Sequence, residues 1–307
     1  LLGAGATLGA AQDGYAHHYV LANNVGCRES PAAAAPVRAS LGVGEMVIAQ
    51  DSTSDRAWYL DRGRSRPPGC WLPARLLTPL VRSDSALRLI VAHALQREPE
   101  AALDDFVAVD NLLQRWTAGS HDSVRFLDTS DVFQLERLHL LQRAARAPEM
   151  RSDRVRKSPL VTAWARSAEP DLRYFEPAGR WYVTAEAYWR LFERHRSSPI
   201  AEEIAWAAAS APILGDECMA DCLVRQIAST HGRYWKEFPQ GRWLGESVKM
   251  AGERLTYAAN VGCEVRDDVT VQLILDLRRW LAAVNVADKS TVLSNLDVVT
   301  MRCRGGS

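Results

Sequence analysis

Six cysteines, one nearby histidine and a few paired aromatic residues are the side chains of this 307-residue chain best suited to chemistry. The cysteines are Cys27, Cys70, Cys218, Cys222, Cys263 and Cys303. Cys218 and Cys222 stand one helical turn apart, with His231 downstream, and three chemistries fit that spacing. A thiolate activated by an imidazole would be a nucleophile, but the second cysteine argues for a bridge instead. A structural zinc site needs four ligands and tighter cysteine spacing, and no fourth ligand lies nearby. A disulfide is the expected reading, with no metal and no cofactor. An even cysteine count in an exported chain points the same way.

Other chemistry is hard to find. There is no His-Glu-x-x-His, no Gly-x-Ser-x-Gly and no phosphate-cradling glycine loop. The acidic pairs Asp104-Asp105, Glu202-Glu203 and Asp267-Asp268 are neighbours in sequence, and neighbours on a helix do not converge. Gly245-Glu246-Ser247 and Tyr257-Ala258-Ala259-Asn260 resemble pieces of lytic transglycosylase motifs, but they stand too close together and the intervening Gly-Leu-Met-Gln element is missing. No catalytic residue is assigned, and a non-enzymatic protein is expected.

Thirty-seven basic and 37 acidic residues balance to zero, which argues against a dedicated nucleic-acid binder. The cluster Arg151, Arg154, Arg156 and Lys157 reads as a solvated linker. Residues 1–12 form a short apolar run ending in small residues, read as the remnant of a signal peptide cleaved before Gln12. No later stretch is long and apolar enough to be a transmembrane segment. A periplasmic or otherwise extracytoplasmic location is therefore expected.

The elements that must position these residues change character along the chain. From residue 13 to 79, short strands alternate with turns rich in Gly, Asp and Pro, as in a small barrel or sandwich. Cys27-Arg28-x-x-Pro31, Leu41-x-x-Gly44-Glu45-x-Val47 and Trp58-Tyr59-Leu60 read as successive strands, and Gly69-Cys70-Trp71-Leu72-Pro73 closes the run. This order resembles the bacterial SH3-like (SH3b) domain. The resemblance implies a small β-barrel whose first and last strand motifs lie close together, so that Cys27 and Cys70 can bridge. It also implies binding of peptides or cell-wall material, or packing against a neighbouring domain. The candidate ligand groove is Trp58, Tyr59 and Trp71; the alternative is that Trp58 and Trp71 fill the barrel core. Adjacent strand residues face opposite ways, so Trp58 and Tyr59 cannot both be core.

From residue 80 to 307 the period becomes helical, and an all-α domain is expected, with Trp181-Tyr182-Val183 ambiguous. Within 184–263 a near-repeat stands out. Tyr188-Trp189-x-x-Phe192 and Tyr234-Trp235-x-x-Phe238 each lead through a turn into a helix opening with Glu. This loosely resembles tetratricopeptide repeats of bacterial envelope proteins. Cys263 and Cys303 pair by elimination, or one of them is a free thiol. The expected fold is thus mixed: an SH3-like barrel followed by a helical, repeat-like array. The expected function is protein interaction or scaffolding in the envelope. Peptidoglycan binding on a helical spacer is the alternative, and a cell-wall hydrolase with an unrecognised site is the second.

Overall fold

The computed structural model describes residues 16–61, 69–79, 83–96, 103–118, 130–147, 159–175, 179–212, 218–263 and 268–304. The expected signal remnant and the basic cluster at 151–157 lie outside these residues. The chain divides into two compact units, Leu1–Ala168 and Glu169–Ser307.

In the first unit, seven strands precede the helices: β1 Ala16–Val20, β2 Val25–Arg28, β3 Val37–Leu41, β4 Met46–Ser52, β5 Trp58–Asp61, β6 Cys70–Pro73 and β7 Leu77–Pro79. They form one antiparallel sheet in the order β3-β2-β6-β5-β4-β1-β7. A 3-10 turn, Ala74–Leu76, joins β6 to β7. Alternation decides which face is buried. Val25 and Cys27 of β2, Cys70 and Leu72 of β6, and Val47 of β4 point inward with Val20, Leu41 and Leu77. Cys27 is bonded to Cys70, and both are fully buried, so the bridge is itself part of the core.

Helices α1 Ser83–Gln96, α2 Leu103–Ala118, α3 Ser130–Ala144 and α4 Pro159–Ser167 follow. Strand gives way to helix after Pro79, yet the compact unit runs on to Ala168, so sheet and α1–α4 belong together. One contact shows how closely. Gly44 turns with φ +76°, and a Cβ there would come within 2.7 Å of Leu112 on α2. The helices are tied by a buried carboxylate. Asp110 of α2 accepts hydrogen bonds from Arg137 Nε of α3 (2.6 Å), Trp164 Nε1 of α4 (2.8 Å) and Gln114 Nε2 (2.8 Å). A buried charge persists where it is paired and hydrogen-bonded in this way.

The second unit is not all-α. It opens with a hairpin, β8 Leu172–Phe175 and β9 Arg180–Val183, paired from Leu172↔Val183 to Phe175↔Arg180. Four residues per strand give too few alternations for a period-2 signal to stand out from helical sequence around it. Gly179, at φ +59°, supplies the turn conformation a hairpin needs. Seven helices follow: α5 Ala185–Arg194, α6 Ala201–Ala209, α7 Ala220–Ile227, α8 Arg233–Glu237, α9 Leu244–Ala258, α10 Asp268–Ala282 and α11 Lys289–Arg304. A π-helical segment, Ala228–Gly232, makes α7 and α8 one continuous rod. Disulfides join Cys218 to Cys222 and Cys263 to Cys303.

Two helix–turn–helix segments in this unit share their backbone detail. The first helix of each ends at His195 or Phe238, with φ −128° and −130°. The second opens at Ile200 or Trp243, with φ/ψ of −102°/11° and −103°/16°. The turn bonds match too: Ser198 N–H to His195 O and Gly241 N–H to Phe238 O are both 3.0 Å. These positions are 43 residues apart, whereas the Tyr-Trp-x-x-Phe match sets the two segments 46 apart. The turns therefore follow a register one helical turn away from that match. In the turn register Tyr188 corresponds to His231, Trp189 to Gly232, Phe192 to Trp235 and Ile204 to Ser247. All eight are buried.

Candidate functional site

The sheet of the first unit sorts the expected aromatic groove into two faces. In the β5–β6 register Trp58 pairs with Pro73, Tyr59 with Leu72, Leu60 with Trp71 and Asp61 with Cys70. Trp58, Leu60, Trp71 and Pro73 thus share the outer face; Tyr59, Asp61, Cys70 and Leu72 share the inner one. Tyr59 packs on the core cluster, and its ring lies 4.9 Å from that of His18. Burial lowers the His18 pKa. Trp58 and Trp71 are half-buried and lie outside that cluster, because the disulfide and small aliphatic side chains already fill it.

On the outer side is a recess of about 900 Å³. Trp58, Pro73, Ala74, Leu76 and Ala57 give it apolar walls, and three arginines, Arg28, Arg56 and Arg75, line it with them. His93 of α1 also lines it, whereas Tyr59 and Trp71 do not. Among the described residues, no Asp or Glu lines it. Arg28 comes from the end of β2, where Nη1 donates to the Ala35 carbonyl at 2.6 Å. Arg75 sits exposed in the 3-10 turn.

Arg56 occupies the tip of the β4–β5 hairpin at φ +54°. The tip is strongly tied. Arg56 N–H donates to Thr53 O (2.8 Å), Thr53 hydroxyl to Asp55 Oδ1 (2.5 Å) and Ala57 N–H to the same oxygen (3.0 Å). The Thr53 hydroxyl, then the Ala57 amide, hold the Asp55 carboxyl below its usual pKa. The three arginines were not legible as a set. They stand singly beside Cys27, Asp55 and Ala74, and only strand pairing brings them together.

Two further clusters invite chemistry and perform none that reaches solvent. Cys27, Cys70 and Asp61 place their ligand atoms within 4.8 Å of one another, all buried. The disulfide consumes both sulfurs, leaving no thiolate for a metal. In the second unit, His231 Nδ1 lies 3.0 Å from Ser247 Oγ, and Trp235 Nε1–H donates to the same oxygen at 2.9 Å. A serine beside an imidazole has the makings of a nucleophile and base. Here both are 0 % exposed, and burial, with Arg254 nearby, lowers the His231 pKa to about 3. This is a neutral, internal polar trio. His231 thus partners a serine that sequence spacing did not indicate, while Cys218 and Cys222 bond to each other.

Glu202 also does more than solvate a helix start. It accepts from the Tyr234 hydroxyl at 2.8 Å and from the Arg242 amide at 2.5 Å, clamping the turn before α9. Comparison with protein-family models, curated proteins and solved structures finds no match for this chain.

Proposed function

We propose that this chain is an exported, non-enzymatic envelope protein that mediates protein interaction or scaffolding, with an SH3-like module as the docking element and a repeat-like helical region behind it. The observation that carries the reading is the outer-face recess, where a half-buried Trp58 stands among arginines. Trp and Arg are the residue types that dominate binding hot spots. An SH3-like reading is supported by short antiparallel strands stapled at Cys27–Cys70, and a repeat-like reading by the shared turn geometry of the two helix–turn–helix segments. Three disulfides fit an oxidising compartment. No helix among the described residues is long and apolar enough to cross a membrane.

The test is affinity capture from native envelope with the full chain and with Trp58→Ala in parallel, followed by mass spectrometry. A specific protein recovered by the parent and lost with Trp58→Ala supports the reading. Equal recovery by both chains, or recovery of none, removes it.

A further inference from the structure

We infer that the Trp58 recess takes an acidic, extended protein segment: carboxylates on the guanidinium rim, apolar side chains on the floor. The inference rests on the docking role proposed for this recess and adds the chemistry of what docks there. Two independent observations carry it. The first is charge. Arg28, Arg56 and Arg75 come from three separate elements and line one recess with no carboxylate among its described lining residues, in a chain whose total charge is zero. A concentrated positive field at one concavity in a neutral protein selects an anionic partner, and arginine binds carboxylates through paired N–H donors.

The second is backbone conformation. Among the described residues, the non-glycine positions with positive φ are Asn24 and Arg56, and both line this recess. Asn tolerates the left-handed region; Arg has no such preference, and glycine would suit residue 56 better. The chain holds Arg there by tying the hairpin tip through Thr53 and Asp55. Strain retained at a rim position marks the side chain, not the turn, as the reason for the residue.

The experiment measures anisotropy of a fluorescein-labelled alternating Glu-Leu peptide with the full-length protein, against a Lys-Leu peptide of the same length. Saturable, salt-weakened binding of the Glu-Leu peptide alone is expected. Arg75→Glu, a surface change, is expected to weaken it by about tenfold or more, and Arg56→Gly by about fivefold, with urea stability unchanged or raised for Arg56→Gly. Equal binding of both peptides, or affinities untouched by these two substitutions, overturns the inference. So does Trp58-dependent retention on isolated peptidoglycan with no peptide binding. If Trp58-dependent capture of an envelope protein persists while the Glu-Leu peptide fails to bind, the acidic ligand is wrong and the docking reading stands. If capture is insensitive to Trp58→Ala, the docking reading itself fails.

Discussion

The two helix–turn–helix segments of the second unit fold to the same backbone turn with different fillings, and the difference is one of neighbours. In the first, Trp189 is a large buried side chain, and its exposed side is covered by the Arg233 guanidinium 4.2 Å from its ring. In the second, the corresponding residue is Gly232, and a Cβ there would come within 2.6 Å of Leu277 and 3.0 Å of Trp280, both on α10. A later helix therefore occupies the space that the first segment fills from its own sequence. Likewise Phe192 and Ile204 are apolar in the first segment, while Trp235 and Ser247 form a hydrogen bond in the second and hold His231. The first segment fills that space with its own Trp189; the second is cut back at Gly232 to receive α10.

The largest expected effect comes from Ser247→Ala. It leaves the Trp235 indole N–H and the His231 imidazole without their shared partner inside the protein. An unpaired buried donor costs about 1–3 kcal/mol, so a loss of roughly 2–4 kcal/mol in urea denaturation is expected. Pairing the change with His231→Leu should cost less than the two single changes added, because the polar group is removed with its partner. Strict additivity would mean the trio does not act as a unit.

Acidification comes next. His231 stays neutral in the fold, with its pKa lowered to about 3, while in the unfolded chain it protonates near its usual value. The unfolded state binds the extra proton, so this contribution is complete above about pH 6.5 and declines as pH falls toward 3. Its slope approaches roughly 1.4 kcal/mol per pH unit. The difference between parent and His231→Leu across that range isolates it from carboxylate titration, and parallel curves for the two proteins would refute it.

Gly241→Ala probes the turn common to both segments. Its Cβ would meet Tyr234 Oη at 2.5 Å and Glu202 Oε1 at 2.7 Å, breaking the clamp on α9, for about 1–3 kcal/mol. Ala at the corresponding Ser198 meets no such clash and loses the bond its Oγ accepts from the Ile200 amide at 3.1 Å, so it should cost less. The smallest effect belongs to Arg196→Ala. Arg196 bonds Glu193 at 2.7 Å and Glu237 at 3.2 Å, but the group lies in solvent, where screening and side-chain entropy leave such pairs little net effect, so the urea midpoint should barely move. A large loss there would mean the charges, and not the aromatic packing, join the two segments.

These contrasts also show where sequence was informative. The change from strand to helix at Pro79 was legible because turn residues at regular spacing give way to three-to-four apolar periodicity. The near-repeat was visible through Tyr-Trp-x-x-Phe, but conspicuous residues misled the register by one helical turn. Trp189 has its structural counterpart in Gly232, and a glycine carries no signal of correspondence. The β8–β9 hairpin was hidden by its brevity. For the recess, sequence indicated Trp58 but added Tyr59, which the strand alternation sends to the opposite face. The arginines that complete the recess meet only through β2–β6–β5 pairing and the turns around it, a long-range fact with no local trace.

The burial of the Cys27–Cys70 bridge turns it into a built-in reporter of breathing in the sheet. A reductant must touch sulfur, and these two sulfurs are covered on every side, whereas Cys222 and Cys263 are each half-exposed. Thiols added to the folded protein can therefore attack the two bridges of the second unit directly but reach the first only during transient opening of the strands. Its reduction rate then counts those openings, independently of any spectroscopic label, and a ligand seated on the outer face would slow the count without ever approaching the sulfurs.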